Sequence, residues 1–291
     1  MNDFYKNKKL LLDVYRKIVQ VFWGSGISKY KFVIKTHRFF TSQLSNEFIE
    51  YEGSKLYLDK KDDHFFSTNP EQIIPEMQVL KKLIKQNDIL IDVGANIGFY
   101  TLNFEKLIGE NGKIFAFEPE PDNFKLLEKN IIENKLNNHV KVFHKAVSNK
   151  KGISNLLIGP TSGTNSLVES FNTNDKIVEV DTIVLDEFFS DFEHEINFVK
   201  IDTEGHDAKV LQGMQKIIQK NQNIKIMTEF VPEFLERSDS NSENYIELLT
   251  KNNMQLHFVD KGKLVETDLN DLESRLRDKR VIGLNLICFR K

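Results

Sequence analysis

Ile89-Leu90-Ile91-Asp92-Val93-Gly94-Ala95-Asn96-Ile97-Gly98-Phe99-Tyr100-Thr101 is the stretch from which the rest of the chain can be read. An apolar run with the character of a buried strand ends in an acidic, glycine-bearing turn and passes directly into a helix. A strand-to-helix turn of this kind gathers backbone N–H groups and a helix N-terminus at one point, where a ligand's charged or polar groups can be held. Gly94 and Gly98 carry no Cβ, so the chain can bend there and a ligand can approach the backbone. Asp92 closes the strand, where its carboxylate can orient the loop or meet an ammonium group. Roughly 20 residues later Lys113 to Phe117 reads as the next strand and ends at Glu118, an acid placed to accept both hydroxyls of a ribose.

Two cofactor classes use that geometry, and glycine spacing separates them. A dinucleotide's pyrophosphate wants G-x-G-x-x-G, with a second glycine two residues after the first. Asn96 stands in that place. The turn D-V-G-A-N-I-G is bulkier and more polar, better suited to an amino-acid end and a ribose than to a diphosphate, and favours S-adenosyl-L-methionine over NAD. An ordinary strand-turn-helix crossing with an N-capping side chain is the plain structural alternative. Glu118 at the expected distance argues against it.

Downstream, strand and helix patterns alternate, the sign of a parallel sheet covered by helices. A helix follows Gly98 to about Ile108, and another runs from Asp122 to about Leu136. Val140 to Phe143 is a third strand, Ile196 to Ile201 a fourth and Ile224 to Phe230 a fifth. One helix carrying Val210, Met214, Ile217 and Ile218 joins the last two. A helix from Asn244 to Lys251 and strands at Gln255 to Val259 and Val281 to Phe289 complete the sheet. The polar excursion Ser148 to Asp175 holds a short strand at Ser154 to Ile158. It then gives Gly159 to Leu167, with the composition of a mobile loop. Upstream, Glu47 to Asp59 reads as a hairpin turning at Glu52 to Lys55, followed by a short helix from Glu76 to Lys85.

Ligands of an open α/β sheet bind beyond the C-terminal ends of its strands. Asp92, Glu118, Lys145, Asp202, Glu204 and Glu229 all fall at such ends. Asp202-Thr203-Glu204-Gly205-His206 is the densest of them, and its strand should neighbour that of Asp92. Transfer of a methyl group to a hydroxyl requires the acceptor to be positioned and its proton removed. His206 can act as the base near neutral pH, with Asp202 or Glu204 orienting it or gripping the acceptor. A Mg²⁺ held by Asp202, Glu204 and Glu229 is the alternative; metal-free base catalysis is preferred, and no metal ligands are assigned. For His206 the competing reading is a solvated residue at a helix start, and for Glu204 a helix N-cap. At the third strand end, Ala146 within Lys145 to Ser148 is the candidate adenine contact, since small apolar side chains and backbone suffice there.

The chain has 291 residues, a formal charge of −3 and a single cysteine, Cys288. That charge argues against bulk nucleic acid as a partner. A lone cysteine excludes an internal disulfide and a cysteine metal cage, and fits a cytoplasmic chain. Residues 1–46 read as a helical extension of the 47–291 domain, with Leu11, Val14, Ile18 and Phe22 at helical spacing. Charged and polar residues interrupt this stretch, which has neither a cleavage site nor the length of a membrane span. A basic amphipathic helix could lie on an anionic membrane, but packing on its own domain or on a second subunit of a homodimer is the preferred reading.

D-V-G-A-N-I-G-F-Y-T at 92–101, F-E-P-E-P at 117–121 and K-I-D-T-E-G-H-D at 200–207 resemble the FkbM family of S-adenosylmethionine-dependent methyltransferases, the last being the most specific. The resemblance extends to G-T-N-S-L at 163–167 and V-D-T-I-V-L-D-E-F at 180–188. It implies a Rossmann-like doubly wound sheet of seven strands with an antiparallel last strand. It also implies cofactor contacts at Asp92, Gly94, Asn96, Gly98 and Glu118, and O-methylation of a sugar, glycan or other small molecule. An NAD-dependent oxidoreductase and a non-catalytic cofactor-binding scaffold are the competing readings. The acceptor's identity does not carry over, because residues 1–46 and 159–176 are the least recognisable parts of the chain.

Overall fold

The computed structural model describes residues 47–59, 74–159, 165–168, 176–236, 240–277 and 283–290, with isolated helical positions between 11 and 39. The order of elements begins with an antiparallel hairpin, β1 (Phe48–Tyr51) and β2 (Ser54–Tyr57), followed by helix α1 (Ile74–Leu83).

 Strand β3 (Ile89–Val93) is buried along its whole length, as a central parallel strand covered on both faces must be, which is why its sequence is a continuous apolar run around one acid. Helix α2 (Phe99–Ile108), strand β4 (Lys113–Phe117), helix α3 (Pro121–Glu133) and strand β5 (Val140–Phe143) follow in right order for a doubly wound half. Glu120 caps α3, its side chain accepting from the Asn123 N–H at 2.6 Å, and Pro121 begins the helix where a missing N–H costs nothing.

The chain then leaves the main sheet to build a smaller one. β6 (Ala146–Val147), β7 (Gly152–Leu157), β8 (Ser166–Val168) and β9 (Ile177–Ile183) form a four-stranded sheet in the order β6-β9-β7-β8. Ala146, Leu156, Leu167 and Val180 make its own small core. The short strand expected near residues 154–158 is therefore one of four. Ser166 to Leu167, expected within a loop, pairs with β7 instead, because Leu167 can bury its side chain against Leu156. Residues 160–164 of that expected loop lie outside the described residues.

After helix α4 (Leu185–Phe188) come strand β10 (Phe198–Ile201), helices α5 (Asp207–Gln212) and α6 (Gln215–Lys220), strand β11 (Lys225–Phe230), and helices α7 (Pro232–Leu235) and α8 (Ser242–Thr250). Strands β12 (Gln255–Asp260) and β13 (Lys263–Thr267), helix α9 (Leu269–Leu276) and strand β14 (Leu284–Phe289) end the fold. The single helix expected after residue 206 is two, broken at Gly213. That glycine packs so closely on the Ser148 carbonyl that a Cβ there would collide with it.

The main sheet runs β13-β12-β14-β11-β10-β3-β4-β5. β5, β4, β3, β10 and β11 are mutually parallel, and β14 enters antiparallel between β11 and β12. The doubly wound plan with its antiparallel last strand holds, and β13 adds an eighth strand at the edge through a hairpin with β12. Chain order reverses between β3 and β10, which makes their C-terminal ends the switch point where ligands bind. Alternate residues of β10 serve opposite faces: Phe198 packs in the core beneath α1, α2 and α3, while Val199 and Ile201 join the core on the other side.

Two asparagines help fasten the β1-β2 hairpin to this frame, Asn134 through both backbone groups of Lys55 and Asn130 from within α3. Asn130 of α3 is fully buried; its Oδ1 accepts from the Tyr57 N–H at 2.6 Å, and its Nδ2 donates to the carbonyls of Tyr57 at 3.1 Å and Ile97 at 2.7 Å. It thus ties the hairpin and the loop after β3 to the same helix.

Candidate active site

A cavity of about 260 Å³ opens at the switch point. The loop after β3 forms its floor. Gly94 and Ala95 donate their N–H groups to the Phe117 carbonyl, both at 3.0 Å, so the ends of β3 and β4 are held together. Asn96 adopts the left-handed conformation at φ 51°, which asparagine tolerates better than most residues. Its N–H donates to Glu118 Oε2 at 2.8 Å.

Glu118 is the best-defined acid of the pocket. Its other oxygen, Oε1, accepts from the Glu120 N–H at 2.9 Å. Burial pushes its carboxyl up to about 7, against the pull of these two backbone donors. Each oxygen keeps acceptor capacity beyond the bond it already makes.

Of the residues singled out in the sequence, Gly94, Asn96, Glu118, Lys145, Ala146, Asp202, Glu204 and His206 line the cavity together. Asp92 and Gly98 lie behind its wall. Asp92 is fully buried; its Oδ2 accepts from Thr101 Oγ1 at 2.6 Å, which pins the first turn of α2 to β3. Gly98, at φ 91°, precedes α2, and a Cβ there would press on the Leu127 side chain at 2.7 Å. Both shape the loop through packing rather than through the cavity surface.

The turn after β10 supplies the opposite wall. The Asp202 N–H donates to the Val93 carbonyl at 3.1 Å, and the Asp202 carbonyl fills the space that a Cβ on Gly94 would need. Glu204 takes a left-handed conformation at φ 54°. Its carboxyl is pushed up to about 9, first by burial and then by the neighbouring Asp202 and Glu229. Its carbonyl accepts from Ser166 Oγ at 2.8 Å, so β8 of the small sheet closes directly onto the turn. His206 is buried, with Nε2 2.9 Å from Ser148 Oγ, and so bridges the turn to the end of β6. Asp207 accepts from the Gly205 N–H at 3.1 Å and holds the turn closed from below. Glu229, grouped with these acids by its place at a strand end, lies outside the cavity lining, although burial, Asp202 and Asp207 push its carboxyl up to about 8.

Lys200 is the residue that its motif leaves without a role. It pairs with Asp92 in the register of β10 and β3, and its side chain is buried. Nζ lies 3.2 Å from Asp202 Oδ2, 3.6 Å from Asp92 Oδ1 and 3.4 Å from the Gly94 carbonyl, with the Tyr100 ring 4.9 Å away. Burial opposes the charge, but the two aspartates outweigh it and hold the ammonium above its ordinary range. A lysine inside an apolar strand is itself a signal, because lysine is almost never fully buried unless paired. Tyr100, Glu76 and Asn285 complete this end. Glu76 accepts from the Tyr100 hydroxyl and from Asn285 Nδ2, each at 2.6 Å, and thereby joins α1, α2 and β14. No local pattern in the sequence links these three distant positions. Among the described residues no group of three or more His, Cys, Asp or Glu side chains is arranged to hold a metal ion.

A doubly wound sheet with a ribose-type acid, a tight glycine turn and a cavity at the switch point defines a Rossmann-like nucleotide-cofactor protein. The family is narrower still. A model described as the methyltransferase FkbM domain matches residues 92–261, and the chain belongs to that family. It is 29% identical over 150 residues to the hexuronic acid methyltransferase AglP of Haloferax volcanii, a match covering 50% of this chain and 58% of that protein. It is 27% identical over 163 residues to the methyltransferase sdnD of Sordaria araneosa, covering 46% of this chain and 62% of that one. The matched stretches thus span about three fifths of these relatives' own length. Among solved structures, the methyltransferase FkbM from Methylobacillus flagellatus KT aligns with a TM-score of 0.44 at 14% identity, covering 92% of this chain and 60% of that chain.

Proposed function

We propose that this chain transfers the methyl group of S-adenosyl-L-methionine to a hydroxyl of a sugar, glycan or other small molecule. The observation that carries the reading is the contact between Gly94 and the Asp202 carbonyl, which brings the cofactor-type loop and the acid-rich turn into one cavity. The donor set fits the cofactor. Glu118 offers acceptor oxygens to ribose hydroxyls, Ala146 leaves flat apolar room for adenine, and Asn96 fills the place that a pyrophosphate would need open. Acids on the opposite wall suit the cofactor's cationic centres. Bound there, S-adenosyl-L-methionine supplies an electrophilic methyl group on a sulfonium.

The remaining work falls to the protein. Positioning dominates such a transfer, and Lys200 serves it by fixing Asp202 relative to the Gly94 carbonyl. Asp202 and Glu204 hold the acceptor; Glu204, largely protonated at neutral pH, does so as a hydrogen-bond donor. His206, oriented by Ser148, takes the hydroxyl proton. The hexuronic acid named for the Haloferax relative supports a sugar-type acceptor.

Calorimetric titration tests the cofactor half. S-adenosyl-L-methionine is expected to bind in a one-to-one ratio while NAD, titrated in parallel, does not. Absence of binding by the folded protein, or preference for NAD, would overturn the reading.

A further inference from the structure

Residues 1–46 differ in kind from the rest of the chain. They hold nine of the 40 lysines and arginines but only two of the 43 aspartates and glutamates, a net +7 in a chain whose total is −3. Leu11, Val14, Ile18 and Val21 are helical positions spaced three, four and three apart, so they fall on one side of a helix. All four are at least 50% exposed, and Phe32, also helical, is 78% exposed. Lys17 and Lys35, both exposed, lie among them.

We infer that the stripe of Leu11, Val14, Ile18 and Val21 is an interfacial anchor that lies on an anionic lipid membrane, apolar side inward. Three candidate occupants compete for such a stripe, and charge and apolar surface separate them. Pairing with the same segment of a second copy brings two +7 segments together. Docking on the 47–291 domain answers the charge, since that part carries the compensating −10, but its described residues offer little exposed apolar surface. Its described exposed large hydrophobics are Ile132, Ile153 and Phe188, on three different elements. An anionic bilayer surface answers both, taking the side chains at the acyl boundary and the lysines at the headgroups.

Co-sedimentation of the full chain with vesicles tests the inference independently of any catalytic reading. Vesicles of phosphatidylcholine mixed with phosphatidylglycerol are expected to bind at least about ten-fold better than phosphatidylcholine alone, with the difference lost in high salt. Val14→Glu together with Ile18→Glu should abolish binding without changing the melting temperature or the affinity for S-adenosyl-L-methionine. Failure to bind, or equal binding to both vesicle types, would overturn it. So would a dimer in sedimentation velocity that the same pair of substitutions dissociates, since the stripe would then lie between two copies.

Discussion

The Asp202 carbonyl stands against the α-carbon of Gly94, in the place where any other residue's Cβ would have to go. Two turns more than a hundred residues apart are therefore in backbone contact, and they bear the cofactor-type residues and the acids, respectively. Gly94→Ala meets this wall and also a φ of 72°. The unfavourable φ alone costs ~1–3 kcal/mol. The variant should lose stability in chemical denaturation and lose cofactor binding in calorimetry; a variant with wild-type values for both would contradict the contact.

Lys200 and Asp92 make a second prediction. Removing the ammonium by Lys200→Met leaves Asp92 buried without its counter-charge, which costs ~3–5 kcal/mol in comparable buried pairs. Asp92→Asn in the same chain should return much of that loss. If the double variant is no more stable than Lys200→Met alone, the two side chains are not energetically coupled.

Glu118→Gln replaces with a donor one of the acceptor oxygens proposed for the ribose hydroxyls. Hydrogen bonds to charged groups contribute ~1.5–3 kcal/mol, so cofactor affinity should fall about ten- to a hundred-fold. An unchanged dissociation constant would remove Glu118 from the cofactor contact.

The pH dependence of stability has a definite sign. Asp207, Glu118, Glu229 and Glu204 are pushed up to about 6, 7, 8 and 9, from ordinary values of 3.8 for the aspartate and 4.5 for the glutamates. The folded protein therefore keeps protons that the unfolded chain releases. Their contribution is full below the ordinary values and is lost as pH rises through the folded ones. The melting temperature of the ligand-free protein should fall from about pH 5 to about pH 9, and Glu204→Gln should flatten the alkaline part of the decline. A melting temperature that rises across that range would show the cluster is not crowded as described.

Much of this was legible in the residues, and what was not has a physical cause. Strand β3 and the turn after it announce themselves because a central parallel strand must be apolar throughout and the tight turn needs glycine. The strand-end charges point to a shared crevice, and Glu118, Lys145, Asp202 and Glu204 line one cavity with Gly94, Asn96, Ala146 and His206, whereas Glu229 does not. Asp92 and Gly98 belong to the same motif but act from behind it, Asp92 because strand residues alternate faces and Gly98 because it packs on Leu127 at the start of α2. The small sheet was hidden by polar composition: its strands need only four buried side chains between them. Glu76, Tyr100 and Asn285 meet only through tertiary packing of α1, α2 and β14, which no local period encodes.

The proposed methyl transfer to oxygen is followed most directly at the methyl carbon. The protein is incubated with S-adenosyl-L-methionine carrying a ¹³C-methyl group and a panel of sugars and cell-extract glycans, and the products are read by NMR. A new O-methyl resonance is expected, absent with Gly94→Arg and reduced with His206→Ala. Label that remains entirely on the bound cofactor, or that appears as an N-methyl resonance, would contradict it.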